Sequence, residues 1–205
     1  MSTQKFRAGA WTIEAVKSKK HRNAALRFRN TQGFAFTRPV DATNVEEATK
    51  VAKKVARRIS NNGAFMVRRF DGEAGDVRIF VTASGAFEVR VKAGDADAFT
   101  AFVTTNLKAA ASEAERLAQA GPLPAEKMSL PGVVRVLTGN RSEVTLDTRS
   151  RHDGVDVRAK VLRHRPPVTV KTFASEKEAA SLVSTLARQV AAGNMLPLLA
   201  ARFNG

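Results

Sequence analysis

Three observations predict an α+β fold of three tandem antiparallel-sheet-plus-helix repeats. Three segments carry helical hydrophobic spacing, each follows segments that alternate apolar and polar residues, and similar apolar-basic stretches follow the first and third helices. The first helix is expected over 44–60, where Val45, Ala48, Ala52, Val55 and Ile59 share one stripe and Lys50, Lys53, Lys54, Arg57 and Arg58 lie off it. Asn44 followed by Glu47 forms a capping box, and Gly63 follows the last turn. The second helix is expected over 95–120, with Phe99, Phe102, Val103, Ala110, Ala114 and Leu117 inward, ending at Gly121-Pro122. The third begins at Ser175, runs through Ala179, Leu182, Val183, Leu186 and Val190, and stops at Gly193. Each helix is amphipathic and needs a sheet to cover.

Strands are expected before each helix: 11–16, 24–29 and 33–37; then 77–83 and 86–92, joined by Ser84-Gly85; then 133–137, 143–147, 155–162 and 168–173. The stretch 64–70 after the first helix is echoed by 196–203 after the third. The repeats are bounded at 1–70, 71–125 and 126–205, with the Gly- and Pro-rich stretch 121–132 as linker.

Charge divides along the same boundaries. The 205 residues carry 34 Lys and Arg against 19 Asp and Glu, a net +15. Residues 1–70 hold 16 basic and 4 acidic side chains, 71–125 hold 5 and 8, and 126–205 hold 13 and 7, so two basic repeats flank an acidic one. Charge needed only for solubility would be spread evenly; segregation marks a footprint for a polyanion, whose released counterions drive binding. Nucleic acid is the expected partner, DNA favoured over RNA, and the acidic middle repeat is assigned to self-association or a protein partner. No stretch is apolar for the roughly eighteen residues of a membrane span, and Met1–Ala10 has no apolar run of a leader. An intracellular protein without membrane contact is expected, cytoplasmic, nucleoid-associated or part of a virion.

The expected contacts lie in the first and third repeats. In the second strand Ala24, Leu26 and Phe28 point one way and Ala25, Arg27 and Arg29 the other, so one face meets a helix and the other offers guanidinium groups. The adjoining loop brings Lys17, Lys19, Lys20 and Arg22 to the same region, a spacing that straddles successive phosphates. In the third repeat Arg149, Arg151, Arg163 and Arg165 gather with His152 and His164 around the Asp153-Gly154 hairpin, whose tip suits a groove.

The run Gly33-Phe34-Ala35-Phe36 resembles the aromatic motif of cold-shock domains and RNA-recognition motifs, in which rings stack on bases. That resemblance implies base contacts by Phe34 and Phe36. It covers about a dozen residues and departs from the pattern at Gln32, where a basic residue is usual. The alternative is that this face packs beneath a helix. The segment 168–173 with the helix start at 175–179 resembles the three-stranded DNA-binding domains of integrase arms and ethylene-response factors, and the tandem order is similar to purine-rich-element-binding repeats. Both resemblances imply a ligand on the sheet face away from the helix.

An enzyme is not expected. The chain has no cysteine, which removes disulfides, thiolate catalysis and Cys-ligated zinc. The three histidines lack metal-ligand spacing, the carboxylate pairs Asp153/Asp156 and Asp95/Asp97 sit where turns and helix starts favour Asp, and no phosphate-binding glycine loop or nucleophile elbow is present. No cofactor or metal is expected. The reading is a non-enzymatic nucleic-acid-binding protein contacting phosphates through basic sheet faces and loops. The alternative is a structural component of a phage particle or ribonucleoprotein.

Overall fold

The computed structural model describes residues 4–18, 23–72, 75–92, 98–119, 134–137, 143–161, 166–195 and 198. They form an α+β fold with two sheets and three helices. The first sheet is β1 (Lys5–Ala8), β2 (Trp11–Lys17), β3 (Ala24–Asn30) and β4 (Ala35–Pro39), antiparallel and in chain order, followed by α1 (Val45–Asn62). Then come β5 (Ala64–Gly72), β6 (Gly75–Thr82), β7 (Phe87–Lys92), β8 (Phe99–Thr104) and α2 (Leu107–Gln119). Last are β9 (Val134–Leu137), β10 (Glu143–Arg151), β11 (Gly154–Lys160), β12 (Val168–Phe173) and α3 (Glu176–Ala191). Strands β5 to β12 make one eight-stranded sheet in chain order, in which β8 and β9 pair in parallel.

Two sheets therefore serve three helices, since the strands before α2 and those before α3 are joined along β8 and β9. The chain divides into two compact units, residues 1–67 with 81–85, and residues 68–80 with 86–205. The expected segments 71–125 and 126–205 both contribute to the second.

The first unit is built around a small core. Trp11, Ile13 and Ala15 alternate inward along β2, opposite Asn30, Phe28 and Leu26 of β3. Helix α1 covers this face with Ala48, Ala52, Val55, Ala56 and Ile59. Its alanines at four-residue spacing let the helix lie close to the sheet, and each fully buried large side chain contributes about 1.5–3 kcal/mol. The Trp11 Nε1–H donates to the Thr82 carbonyl at 2.8 Å, satisfying the one polar atom of a buried indole.

Helix α1 starts where the cap was expected. The Asn44 Oδ1 accepts the Glu47 N–H at 2.9 Å, and Gly63 ends the helix at a φ of 71°. Glu47 reaches back one residue beyond the usual box, accepting from both the N–H and the hydroxyl of Thr43. These bonds hold its carboxyl below the usual carboxylate range.

The second helix starts later than expected. Phe99, Phe102 and Val103, expected on a helix, lie on β8. The run Phe99-Thr100-Ala101-Phe102-Val103-Thr104 is rich in aromatic and β-branched residues, which favour a pleated surface. The helix begins only after Asn106, whose Oδ1 accepts from the Lys108 and Ala109 N–H groups.

In the second unit α2 and α3 cover opposite faces of the sheet. Arg135, Phe102 and Val89 align across β9, β8 and β7, and Arg135 meets Glu113 of α2. The neighbouring row Val136, Val103 and Glu88 points the other way, toward α3, where Arg188 reaches Glu88. The core beneath α3 joins Val134, Val136, Val144, Leu146, Val155 and Val157 to the buried face of the helix.

Candidate nucleic-acid interface

On the face of the first sheet turned away from α1, the register sets two rows side by side. Arg7 lies opposite Thr12, which lies opposite Arg29; Lys5 lies opposite Glu14, which lies opposite Arg27. Strand geometry places Arg27 and Arg29 about 7 Å apart along β3, and Arg7 and Arg29 about 10 Å apart across β2. That step is on the order of the separation between neighbouring phosphates of one strand, so the two guanidinium groups can meet successive phosphates. Lys5, Arg7 and Arg29 are exposed. Arg27 meets Glu14 at 3.4 Å with its side chain 43% exposed, a contact too long and too wet to neutralise it.

Lys17 belongs elsewhere. It shares the alternation of Trp11, Ile13 and Ala15, and so lies on the α1 side at the exposed end of β2. Phe34 and Phe36 are also on the α1 side: Phe36 stacks on Phe28 with centroids 4.7 Å apart and an interplanar angle of 5°, and meets Trp11 edge-on at 5.8 Å. Phe34 lies 6.3 Å from Phe36. The rings thus sit on the opposite face from Arg27 and Arg29. Asn30 forms the turn before them, its Oδ1 accepting from Gln32 and Phe34 N–H groups. Lys19, Lys20, Arg22, Arg163 and Arg165 lie outside the described residues, as do the expected linker at 121–132, Asp95 and Asp97, and all of the tail 196–203 except Leu198.

The arginines of the second unit are mostly matched to carboxylates. Arg158 grips Asp147 through two bonds of 2.8 Å, and Arg135 grips Glu143 through two of 3.1 Å. Arg151, expected free at the hairpin, is 2.5 Å from buried Asp156, which also accepts from the Thr172 hydroxyl. Glu88 is fully buried between Arg90 and Arg188. Asp76 is held below the usual carboxylate range, first by its hydrogen bond to Arg78 and then by the charges of Arg78 and Arg69. Arg149 is exposed and forms no ion pair with a described carboxylate. His152 is exposed in the turn.

Helix α1 adds cations that the sequence places off its apolar stripe. Lys53, Lys54, Arg57 and Arg58 are exposed, and none of the four forms an ion pair with a described carboxylate. Beside the helix lies a cleft of about 850 Å³ lined by Leu26, Val51, Val55 and Phe65, with Arg38, Lys54, Arg57, Arg58, Asn61 and Asn62 around it. Arg38 donates to the Met66 carbonyl at 3.1 Å and lies 5.1 Å over the Phe65 ring. Partial burial lowers its pKa without threatening its charge at neutral pH.

No family model, curated protein or solved structure matches this chain. Among the described residues, no three His, Asp or Glu side chains stand together as a metal site requires, and no helix is long and apolar enough to cross a membrane. Sequence reading passed over Lys5 and Arg7, although the alternation Lys5-Phe6-Arg7-Ala8 is that of a strand edge. It could not place Arg38 and Phe65, which meet only through the fold.

Proposed function

We propose that this protein is a non-enzymatic nucleic-acid-binding protein that holds the phosphate backbone through its first unit. One observation carries the reading. Among the described arginines, those of the second unit are spent on carboxylates except Arg149, whereas the first unit keeps Arg7, Arg29, Arg38, Arg57 and Arg58 outside any ion pair with a described carboxylate; exposed lysines outside such pairs occur in both units, Lys5, Lys53 and Lys54 in the first and Lys92, Lys108, Lys171 and Lys177 in the second. Unpaired, exposed cations at strand spacing suit a polyanion and gain from counterion release; paired ones gain little. The binding surface is thereby centred on one basic unit, with Arg149 the one described arginine of the third segment outside an ion pair with a described carboxylate. The order of four strands and then a helix, met three times, supports descent from one repeated element despite the two sheets.

The test is binding of the purified protein to single- and double-stranded DNA and RNA across a salt series, beside a variant with Lys5, Arg7, Arg27 and Arg29 all changed to Gln. The expected result is affinity that falls steeply with salt in the wild type and less steeply in the variant, DNA being held at least as tightly as RNA. Affinity indifferent to both salt and these four residues would refute the reading. Absence of binding at low salt would point to a component of a phage particle or ribonucleoprotein, whose charge meets its partner only in the assembly.

A further inference from the structure

We infer that the cleft beside α1 is a base-binding pocket, taking one unstacked nucleotide of a single strand with the base on its apolar floor and the flanking phosphates on its basic rim. The inference rests on the nucleic-acid reading and names what the strand does there. Helix α1 packs mainly on β1, β2 and β3, and its outer turns line one cleft together with Arg38 and Pro39 of β4. The gap between them is the cleft, about 850 Å³, a size typical of sites for small ligands. Its apolar lining includes Leu26, Val51, Val55 and Phe65; Leu26 and Val55 are buried in the core, and the partly exposed Val51 and Phe65 are the surface against which a base would lose water.

The polar groups around the cleft suit a nucleotide. Lys54 and Arg58 lie one turn apart on the cleft side of α1, neither in an ion pair with a described carboxylate, and Arg57 stands beside them. Asn61 and Asn62, exposed on the last turn of α1, add amides with donors and acceptors to the lining. Arg38 is fixed over Phe65 by its bond to Met66, so the ring and guanidinium form a ready-made platform for a π-face. One carboxylate, Asp41, is on the rim against four cations, so the site is set for an anion carrying a flat apolar part. A smooth duplex cannot insert a base here; a single strand can.

The experiment compares a labelled oligothymidylate with an abasic oligomer of equal length and charge, using the full chain and fluorescence anisotropy. Wild-type protein should prefer the base-bearing strand by roughly 5-fold or more, the scale of one lost stacking contact. Val51→Met, which narrows the cleft with a longer side chain that offers no ring, should reduce that preference while leaving abasic and duplex binding in place. Lys54→Gln with Arg58→Gln should weaken both oligomers together. Equal wild-type affinity for the two oligomers overturns the inference without any variant, so a poorly folded Val51→Met does not shelter it. Full retention of the preference in a Val51→Met protein that melts like wild type overturns it as well, as does polyglutamate displacing oligothymidylate as well as unlabelled oligothymidylate does. If duplex still binds in those cases, the pocket alone falls; if neither oligomer nor duplex binds at low salt, the nucleic-acid reading falls and takes the pocket with it.

Discussion

Glu88 is the side chain whose role the sequence conceals most fully. On β7 it stands between Phe87 and Val89 and reads as the outward member of an alternating strand. In the fold both faces of that strand are covered, and the carboxylate is buried between Arg90 at 2.5 Å and Arg188 at 2.6 Å. The Arg188 contact spans a hundred residues of chain, so no local pattern announces it. Removing its charge takes the buried partner from two guanidinium groups that are themselves 28% and 37% exposed. Glu88→Gln is expected to destabilise the protein by about 1–3 kcal/mol in urea unfolding, because the arginines keep part of their water while the amide stays buried. A loss under about 1 kcal/mol would mean that water reaches the site.

Asp76 supplies the pH dependence at the same scale. Its carboxyl is held low in the folded state by the hydrogen bond to Arg78, with Arg78 and Arg69 adding their charge. A folded pKa below the unfolded one, about 3.9, contributes stability that is present at neutral pH and lost as pH falls through the folded value. Asp76→Asn should therefore be less stable than wild type near neutrality and should converge on it in acid. Unfolding free energies measured at intervals from neutral pH downward check this; curves that stay parallel would refute it.

Among the elements, glycine positions separate steric from conformational cost. Gly9, in the turn from β1 to β2, has a φ of 59°, and a Cβ there would lie 2.1 Å from the Ala83 carbonyl oxygen. Gly33, in the turn from β3 to β4, has a φ of 83° with nothing within 4 Å of that position. Gly33→Ala should cost only the left-handed penalty, about 1–2 kcal/mol. Gly9→Ala should cost clearly more, because backbone must move. Equal losses in thermal unfolding would show that the Ala83 segment yields easily.

The elements also show what was legible. Helices α1 and α3 were readable because their stripes and caps are local: Asn44 and Ser175 each accept the N–H three residues on. The opposed faces of β3 were readable because alternation needs no partner. Strand β8 was not, because Phe99, Phe102 and Val103 satisfy helical spacing as well as a strand, and only the register with β7 and β9 decides. The joining of β8 to β9 in parallel is likewise a long-range pairing. At the candidate site, Arg27 and Arg29 were legible from one strand, whereas the side of the sheet on which Phe36 meets Phe28 and Trp11 depended on three.

At the scale of the whole molecule, the question is whether +15 acts as a diffuse field or as a footprint. The two differ in a measurable way. Arg57→Gln and Arg158→Gln change the net charge by the same single unit. If binding follows net charge, both weaken it alike. At physiological ionic strength, however, the screening length is about 8 Å, so a charge acts mainly on phosphates near it. Arg57 has no ion-pair partner among the described carboxylates, while Arg158 is already held by Asp147 through two 2.8 Å bonds. Arg57→Gln should lower the slope of log affinity against log salt by up to about 1, the share of one phosphate contact. Arg158→Gln should leave that slope unchanged and cost fold stability instead, since it leaves Asp147 without its partner. Equal slopes for the two variants would make the charge a diffuse field and remove the first unit's claim to be the binding surface.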